Sequence, residues 1–167
     1  FYTTHPNEEP IKGIKKMKQT DNFKFDEANV MNELVYRNLS EDAKRQICAW
    51  KYGGEYDLYN LPAYEEMQVR QIGFMNPKSE KNYYGFWDES ILVGFVNILE
   101  EKEEVFIGIG VNPDLCNKHY GQRMLLITYE ISKKLYPNKP LYLEVRTWNI
   151  RAVKCYQKAG FRIDGQA

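Results

Sequence analysis

Hydrophobic positions alternate along one run of the chain and then change period. Val105, Ile107, Ile109 and Val111 alternate with Phe106, Gly108 and Gly110. Period two of this kind predicts a strand. Asn112-Pro113-Asp114 ends it, because proline cannot donate to a ladder and Asn and Asp favour turns. From Gly121 the spacing lengthens: Met124, Ile127, Thr128, Ile131 and Leu135 form one stripe of a helix. Lys133 and Lys134 suit the dipole of its last turn, and Pro137 follows the stop. A strand that feeds a helix N-terminus through a polar turn can hold an anion, since the first helical N–H groups have no partner within the helix. The same pattern also describes an ordinary crossover, and periodicity alone does not separate the two.

Elsewhere the pattern predicts a strand over Leu34-Val35-Tyr36-Arg37. A helix capped by Ser40, with Glu41 and Asp42 in its first turn, then runs to about Trp50. Gly53-Gly54 breaks it. After the aromatic and acidic stretch Glu55 to Leu61, Pro62 suits the first position of a second helix reaching Phe74. Tyr83 to Trp87 and Ile91 to Leu99 pair around Asp88-Glu89-Ser90 as a hairpin, and Glu100 to Glu103 form the turn into the strand at Val105. Leu141 to Val145 read as another strand, and Asn149 caps a last helix. The order is β-α-α-β-β-β-α-β-α, an α/β fold with helices on both faces of a mixed, mostly antiparallel central sheet. Residues 1–30 fit this order poorly. They read either as a leader outside the domain at 31–167 or as a segment covering a sheet edge.

Composition narrows the function. The 23 basic and 23 acidic residues cancel, so no global field argues for nucleic acid or an anionic membrane. No apolar run approaches membrane-spanning length. Cys48, Cys116 and Cys155 have no metal-ligand spacing, so no metal is expected. An odd cysteine count without a secretory signal fits a cytoplasmic protein.

Two motifs carry the chemistry. The first is Val111-Asn112-Pro113-Asp114 followed by Cys116-Asn117-Lys118-His119-Tyr120-Gly121. The second is Asn149-Ile-Arg-Ala152-Val-Lys-Cys-Tyr156-Gln-Lys-Ala-Gly160-Phe161. The pair resembles the GCN5-related N-acetyltransferase (GNAT) family, whose motifs are Gln/Arg-x-x-Gly-x-Gly/Ala and Asn-x-x-Ala-x-x-x-Tyr-x-x-x-Gly-Phe. Every position of the second is matched. In the first, Cys116 stands where Gln or Arg is usual and His119 where the first Gly is usual. The resemblance covers about Glu33 to Phe161.

This resemblance implies acetyl-CoA as cosubstrate, with its pyrophosphate on the backbone of Cys116, Asn117, Lys118, His119, Tyr120, Gly121 and Gln122. Main-chain groups of Ile109 and Val111, and the side chain of Asn149, would meet the pantetheine arm. Tyr156 would be the general acid for the departing thiolate. Without the resemblance, Tyr156 reads as a core tyrosine. Glu144 is a candidate base for the attacking amine, or simply a partner of Arg146. The family often lines its acceptor side between the first two helices, which points to Trp50, Tyr52, Glu55, Tyr56, Asp57 and Tyr59. Aromatic faces and carboxylates there suit a cation, while a tyrosine-rich loop covering the core fits the same residues. The reaction implied is direct acetylation of a primary amine on a small molecule or peptide. The alternative is an acyl-CoA-binding module without turnover, which the departures at Cys116 and His119 allow. The family adds a strand after the Gly-Phe of the second motif. Here Gly165 weakens the few residues that remain, so the sheet is expected to lack that strand. Phe1 to Thr4 or Phe23 to Phe25 would then cover the edge, in the same chain or in a second copy forming a homodimer.

Overall fold

The computed structural model of the chain describes residues 14–20 and 34–164. The elements are β1 (Ile14–Gln19), β2 (Val35–Asn38), α1 (Glu41–Ala49), α2 (Tyr64–Arg70), β3 (Tyr83–Asp88), β4 (Ile91–Glu100), β5 (Val105–Val111), α3 (Tyr120–Leu135), β6 (Leu141–Arg146), α4 (Ile150–Lys158) and β7 (Phe161–Ile163). Among the described residues the strands form one sheet in the order β2-β3-β4-β5-β6-β1-β7. All neighbours are antiparallel except β5 and β6. The α/β architecture with a mixed, mostly antiparallel sheet follows from the pattern of periods.

Strand alternation sorts side chains onto two faces. Val105, Ile107, Ile109 and Val111 of β5 join Leu141, Leu143 and Val145 of β6 in a core with Met124, Leu125 and Ile131 of α3 and Ala152 and Tyr156 of α4. On the opposite face, Leu92 and Phe95 of β4 pack with Ala43, Ile47, Met67 and Phe74. A bulge makes this division possible. Phe86 pairs with Gly94 and Trp87 with Leu92, leaving Val93 as the extra residue. Leu92 therefore stays on the α1/α2 side while Val93 turns into the α3 core. Gly94 lies directly under α3, where a Cβ would come within 2.5 Å of the Met124 sulfur.

Three expectations need correction. The second helix does not begin at Pro62 or reach Phe74. It spans Tyr64–Arg70 and stops where Gln71 turns left-handed at φ 51°. A short 3-10 turn, Gly73–Met75, then swings Phe74 into the core against Tyr83 and Phe95. Second, a strand does follow Gly160, because Phe161–Ile163 pair with β1. Third, Leu135, which ends the apolar stripe of α3, is half exposed.

β1 is the addition that periodicity did not suggest. Ile14–Gln19 lie between β6 and β7 and pair antiparallel with both. Lys15 is exposed, Lys16 and Lys18 are partly exposed, and only Met17 is fully buried, in the core with α3 and α4. The alternative edge-covering stretches, 1–4 and 23–25, lie outside the described residues. Met17→Ala should cost roughly 2–5 kcal/mol, the usual range for emptying a closed core site. Urea denaturation measures it; a midpoint equal to that of the unaltered chain would contradict this placement of β1.

Candidate functional site

β4 and β5 pair along seven positions, from Gly94–Val111 to Glu100–Val105. β5 and β6 pair at only two, Val105–Leu141 and Phe106–Tyr142. Beyond Phe106 the parallel strands part, and Ile107 to Val111 have no ladder partner on that side. Each backbone polar group along such a seam must find another partner. One does so within the chain: the Tyr52 hydroxyl donates to the Val111 carbonyl at 2.6 Å.

The turn after β5 is fixed by Asn112. Its backbone N–H donates to the Val93 carbonyl at 2.8 Å, its side-chain amide donates to the Leu92 carbonyl at 3.1 Å, and its Oδ1 accepts from the Asp114 N–H at 3.0 Å. The chain then takes left-handed backbone at Asn117 (φ 69°) and His119 (φ 64°). Asn and His are among the non-glycine residues that adopt this region most readily, which explains how His119 stands at a position where glycine is usual. His119 is the N-cap of α3 yet makes no side-chain capping bond. The first helical bond runs from the Arg123 N–H to the His119 carbonyl at 3.4 Å. The N–H groups of Tyr120, Gly121 and Gln122 are thus free of intrahelical partners at the positive end of the dipole. The Tyr120 hydroxyl anchors this end by donating to Asp88 at 2.6 Å.

α4 forms the other wall. Buried Asn149 caps it, its Oδ1 accepting from the Ala152 N–H at 3.2 Å, while its amide donates to the Tyr59 hydroxyl at 3.2 Å. Gly160 follows the helix end at φ 103°, a conformation suited to glycine.

Between these walls lies a cavity of about 290 Å³. Ile109 and Val111 of β5 border it, as do Cys116, Asn117, His119, Tyr120, Gly121 and Gln122 of the turn and α3, and Tyr156 of α4. Tyr156 is 2% exposed. Its burial, with Cys155 and Tyr59 nearby, pushes the phenol well above the usual tyrosine value. It therefore remains protonated at neutral pH. Burial likewise pushes the Cys155 thiol up to about 11, which makes it a poor nucleophile.

Not every sequence candidate lies at this cavity. Lys118 is exposed and Asn149 sits behind the wall as a cap. Glu144 is on the opposite face of the sheet from Tyr156, since it alternates with the core residues Leu143 and Val145. It pairs across from Lys16 of β1, and its charge helps raise the Tyr142 phenol. Trp50 packs on Phe95 in the α1/α2 core. Glu55 and Asp57 are exposed. Tyr52, Tyr56 and Tyr59 cluster together, with ring centroids 6.4 Å apart for both the Tyr52–Tyr59 and Tyr56–Tyr59 pairs. Arg151, Lys154 and Lys158 also line the cavity. Their spacing of three and four was visible in the sequence as one basic face of the last helix. It was obscured by the motif positions that share the same turns.

Comparison with known proteins identifies the family and the fold. The family model of the Acetyltransferase (GNAT) family matches residues 44–161. The chain belongs to the GNAT acetyltransferase family. No curated protein matches it. Solved structures with the same fold include a GNAT-family acetyltransferase from Colwellia psychrerythraea, with 14% identity and a TM-score of 0.65 over 90% of this chain and 52% of that one. This chain thus spans about half the length of the Colwellia protein. A spermidine N-acetyltransferase chimera of Vibrio cholerae SpeG and hSSAT shares 20% identity over 79% of this chain and 82% of its own, with a TM-score of 0.66. A GNAT-family acetyltransferase from Streptococcus pneumoniae shares 24% over 80% and 87%, with a TM-score of 0.59. Among the described residues no helix is long and apolar enough to cross a membrane, and no cluster of three metal-ligating side chains occurs.

The left-handed N-cap gives a test of the turn. His119→Val places a β-branched residue where φ is positive, at a cost on the order of 1–3 kcal/mol, whereas His119→Gly should be tolerated. Thermal denaturation of the two variants reads the difference; equal stability would mean that residue 119 is not left-handed.

Proposed function

We propose that the protein transfers an acetyl group from acetyl-CoA to a primary amine by direct attack. The observation that carries this reading is the parted β5–β6 seam opening beside the uncapped N–H groups of α3, with the Tyr156 phenol in the same cavity.

These residues fit acetyl-CoA. The N–H groups of Tyr120, Gly121 and Gln122 can donate to a pyrophosphate without competition from a capping side chain. Lys154, Lys158 and Arg151 supply positive charge along α4 for the remaining phosphate. The backbone at Ile109 and Val111, paired with β4 but not with β6, suits an amide-bearing pantetheine arm as an added strand would. The cosubstrate supplies the activated acetyl group.

In the reaction, the acceptor nitrogen forms a bond to the acetyl carbon as the carbon–sulfur bond breaks. The Tyr156 phenol gives its proton to the departing sulfur, and the nitrogen loses one. Glu144 lies across the sheet beside Tyr142, so proton removal from the amine is left to water. Tyr52, Tyr56 and Tyr59 form the acceptor side, above the end of β5 and the cap of α4. The residues serve transfer without a metal or a covalent enzyme intermediate.

Two variants test the reading. Gly121→Asp should fold, because a Cβ there meets only the Cys155 sulfur at 3.5 Å and the Val111 side chain at 3.8 Å, and a carboxylate in the first turn favours the helix. The same carboxylate repels the pyrophosphate, so the rise in melting temperature with acetyl-CoA should vanish. A shift that persists would remove the phosphates from this turn.

Tyr156→Phe should retain that shift and lose roughly 10²–10⁴-fold in kcat, the usual contribution of a general acid. Thiol release in the presence of an amine measures it; full activity where chemistry limits would return Tyr156 to the core.

A further inference from the structure

The last peptide of β5 is held from both sides. The Val105 N–H donates to the Pro140 carbonyl at 2.9 Å, on the β6 side, and the Asn112 N–H donates to the Val93 carbonyl at 2.8 Å, on the β4 side. Polar groups of successive strand residues turn to opposite edges. Those of Ile109 and Val111 therefore turn toward β6, where the ladder has already ended. The carbonyl of Val111 and the N–H of Asn112 belong to one planar unit and point opposite ways. Tyr52 holds the first, its hydroxyl donating at 2.6 Å, and Val93 holds the second. That plane cannot rotate without losing a bond at each end. The Val111 N–H and both polar groups of Ile109 are left facing the parted seam.

Tyr52 is itself fixed. Its N–H donates to Oδ1 of Asn60 at 2.6 Å, and its ring meets that of Tyr59 edge-on, with centroids 6.4 Å apart. Tyr59 is buried and accepts from Asn149, the cap of α4. Burial, with Cys116 nearby, pushes the Tyr52 phenol above the usual tyrosine value, so it keeps the proton it donates. The two rings thus link the α4 wall of the cavity to its β5 wall. Such a brace sets where the free groups of the strand lie, and misplacing them costs affinity or rate even at a distance from the chemistry. We propose that Tyr52 is a positioning residue: by fixing the Val111 peptide it aims the open edge of β5 at the pantetheine arm, and its hydroxyl serves the strand, not the acceptor. This rests on the acetyl-CoA reading above and adds to it a residue that does not line the cavity.

Tyr52→Phe removes only the hydroxyl. Calorimetry compares its dissociation constants with those of the unaltered chain for two ligands. Acetyl-CoA carries the arm; 3′-phospho-ADP keeps the phosphates and lacks it. Tyr52→Phe should bind acetyl-CoA roughly three- to tenfold more weakly, the worth of one hydrogen bond, and should bind the nucleotide as the unaltered chain does. A merely structural role would weaken both ligands alike or neither. Equal weakening of both, or unchanged affinity for acetyl-CoA, therefore overturns the positioning role while leaving the acetyl-CoA site standing. Tighter binding of acetyl-CoA overturns it too, since the hydroxyl would then compete with the arm for the Val111 carbonyl. If the unaltered chain fails to bind either one of the ligands, the acetyl-CoA site itself is misplaced, and both readings fall.

Discussion

The early parting of two parallel strands governs this molecule. A sheet normally satisfies each strand on both sides, and β5 gives that up beyond Phe106. The uncovered backbone needs hydrogen-bond partners, and the wedge needs filling. α3 and α4 supply apolar side chains from one face, among them Met124, Ala152 and Tyr156. The Tyr52–Tyr59 stretch spans the top. Tyr52 holds the last carbonyl of β5, and Tyr59 holds the cap of α4. One short segment thereby braces both walls of the opening, and the proposed chemistry takes place where the walls are furthest apart.

Much of this was legible from residue order. Period two at Val105–Val111, the change of period at Gly121 and the Asn-Ala-Tyr-Gly-Phe spacing together define β5, α3, α4 and the sheet between them. The left-handed turn was legible only as a departure at His119, since backbone conformation is set there by Asn112 anchoring the turn to β4. Glu144 and Tyr156 could each be given a role in isolation. Only the pleat of β6 separates them, because neighbouring side chains on a strand point to opposite faces.

What escaped reading had a common cause. β1 carries lysines at Lys15, Lys16 and Lys18 and buries one side chain completely, so its apolar signal is Ile14 and Met17 alone. Its place in the sheet comes from backbone pairing, which composition does not encode. The early stop of α2 likewise depends on Phe74 finding a site between Tyr83 and Phe95, a tertiary demand that overrides local helix preference.

The position of β1 also bears on how the chain reaches this state. Residues near its beginning separate β6 from β7. The Asp164 N–H donates to the Lys16 carbonyl at 2.8 Å, and the Thr20 N–H donates to the Gly160 carbonyl at 2.9 Å. These contacts join parts of the chain about as remote in sequence as the described residues contain. Closing so long a loop carries an entropy that only the finished sheet repays. During synthesis β1 must wait for nearly all the other described strands before it has a partner. Topology thus makes β1 and β7 the late-assembling margin of a fold whose centre can form from contacts closer in sequence.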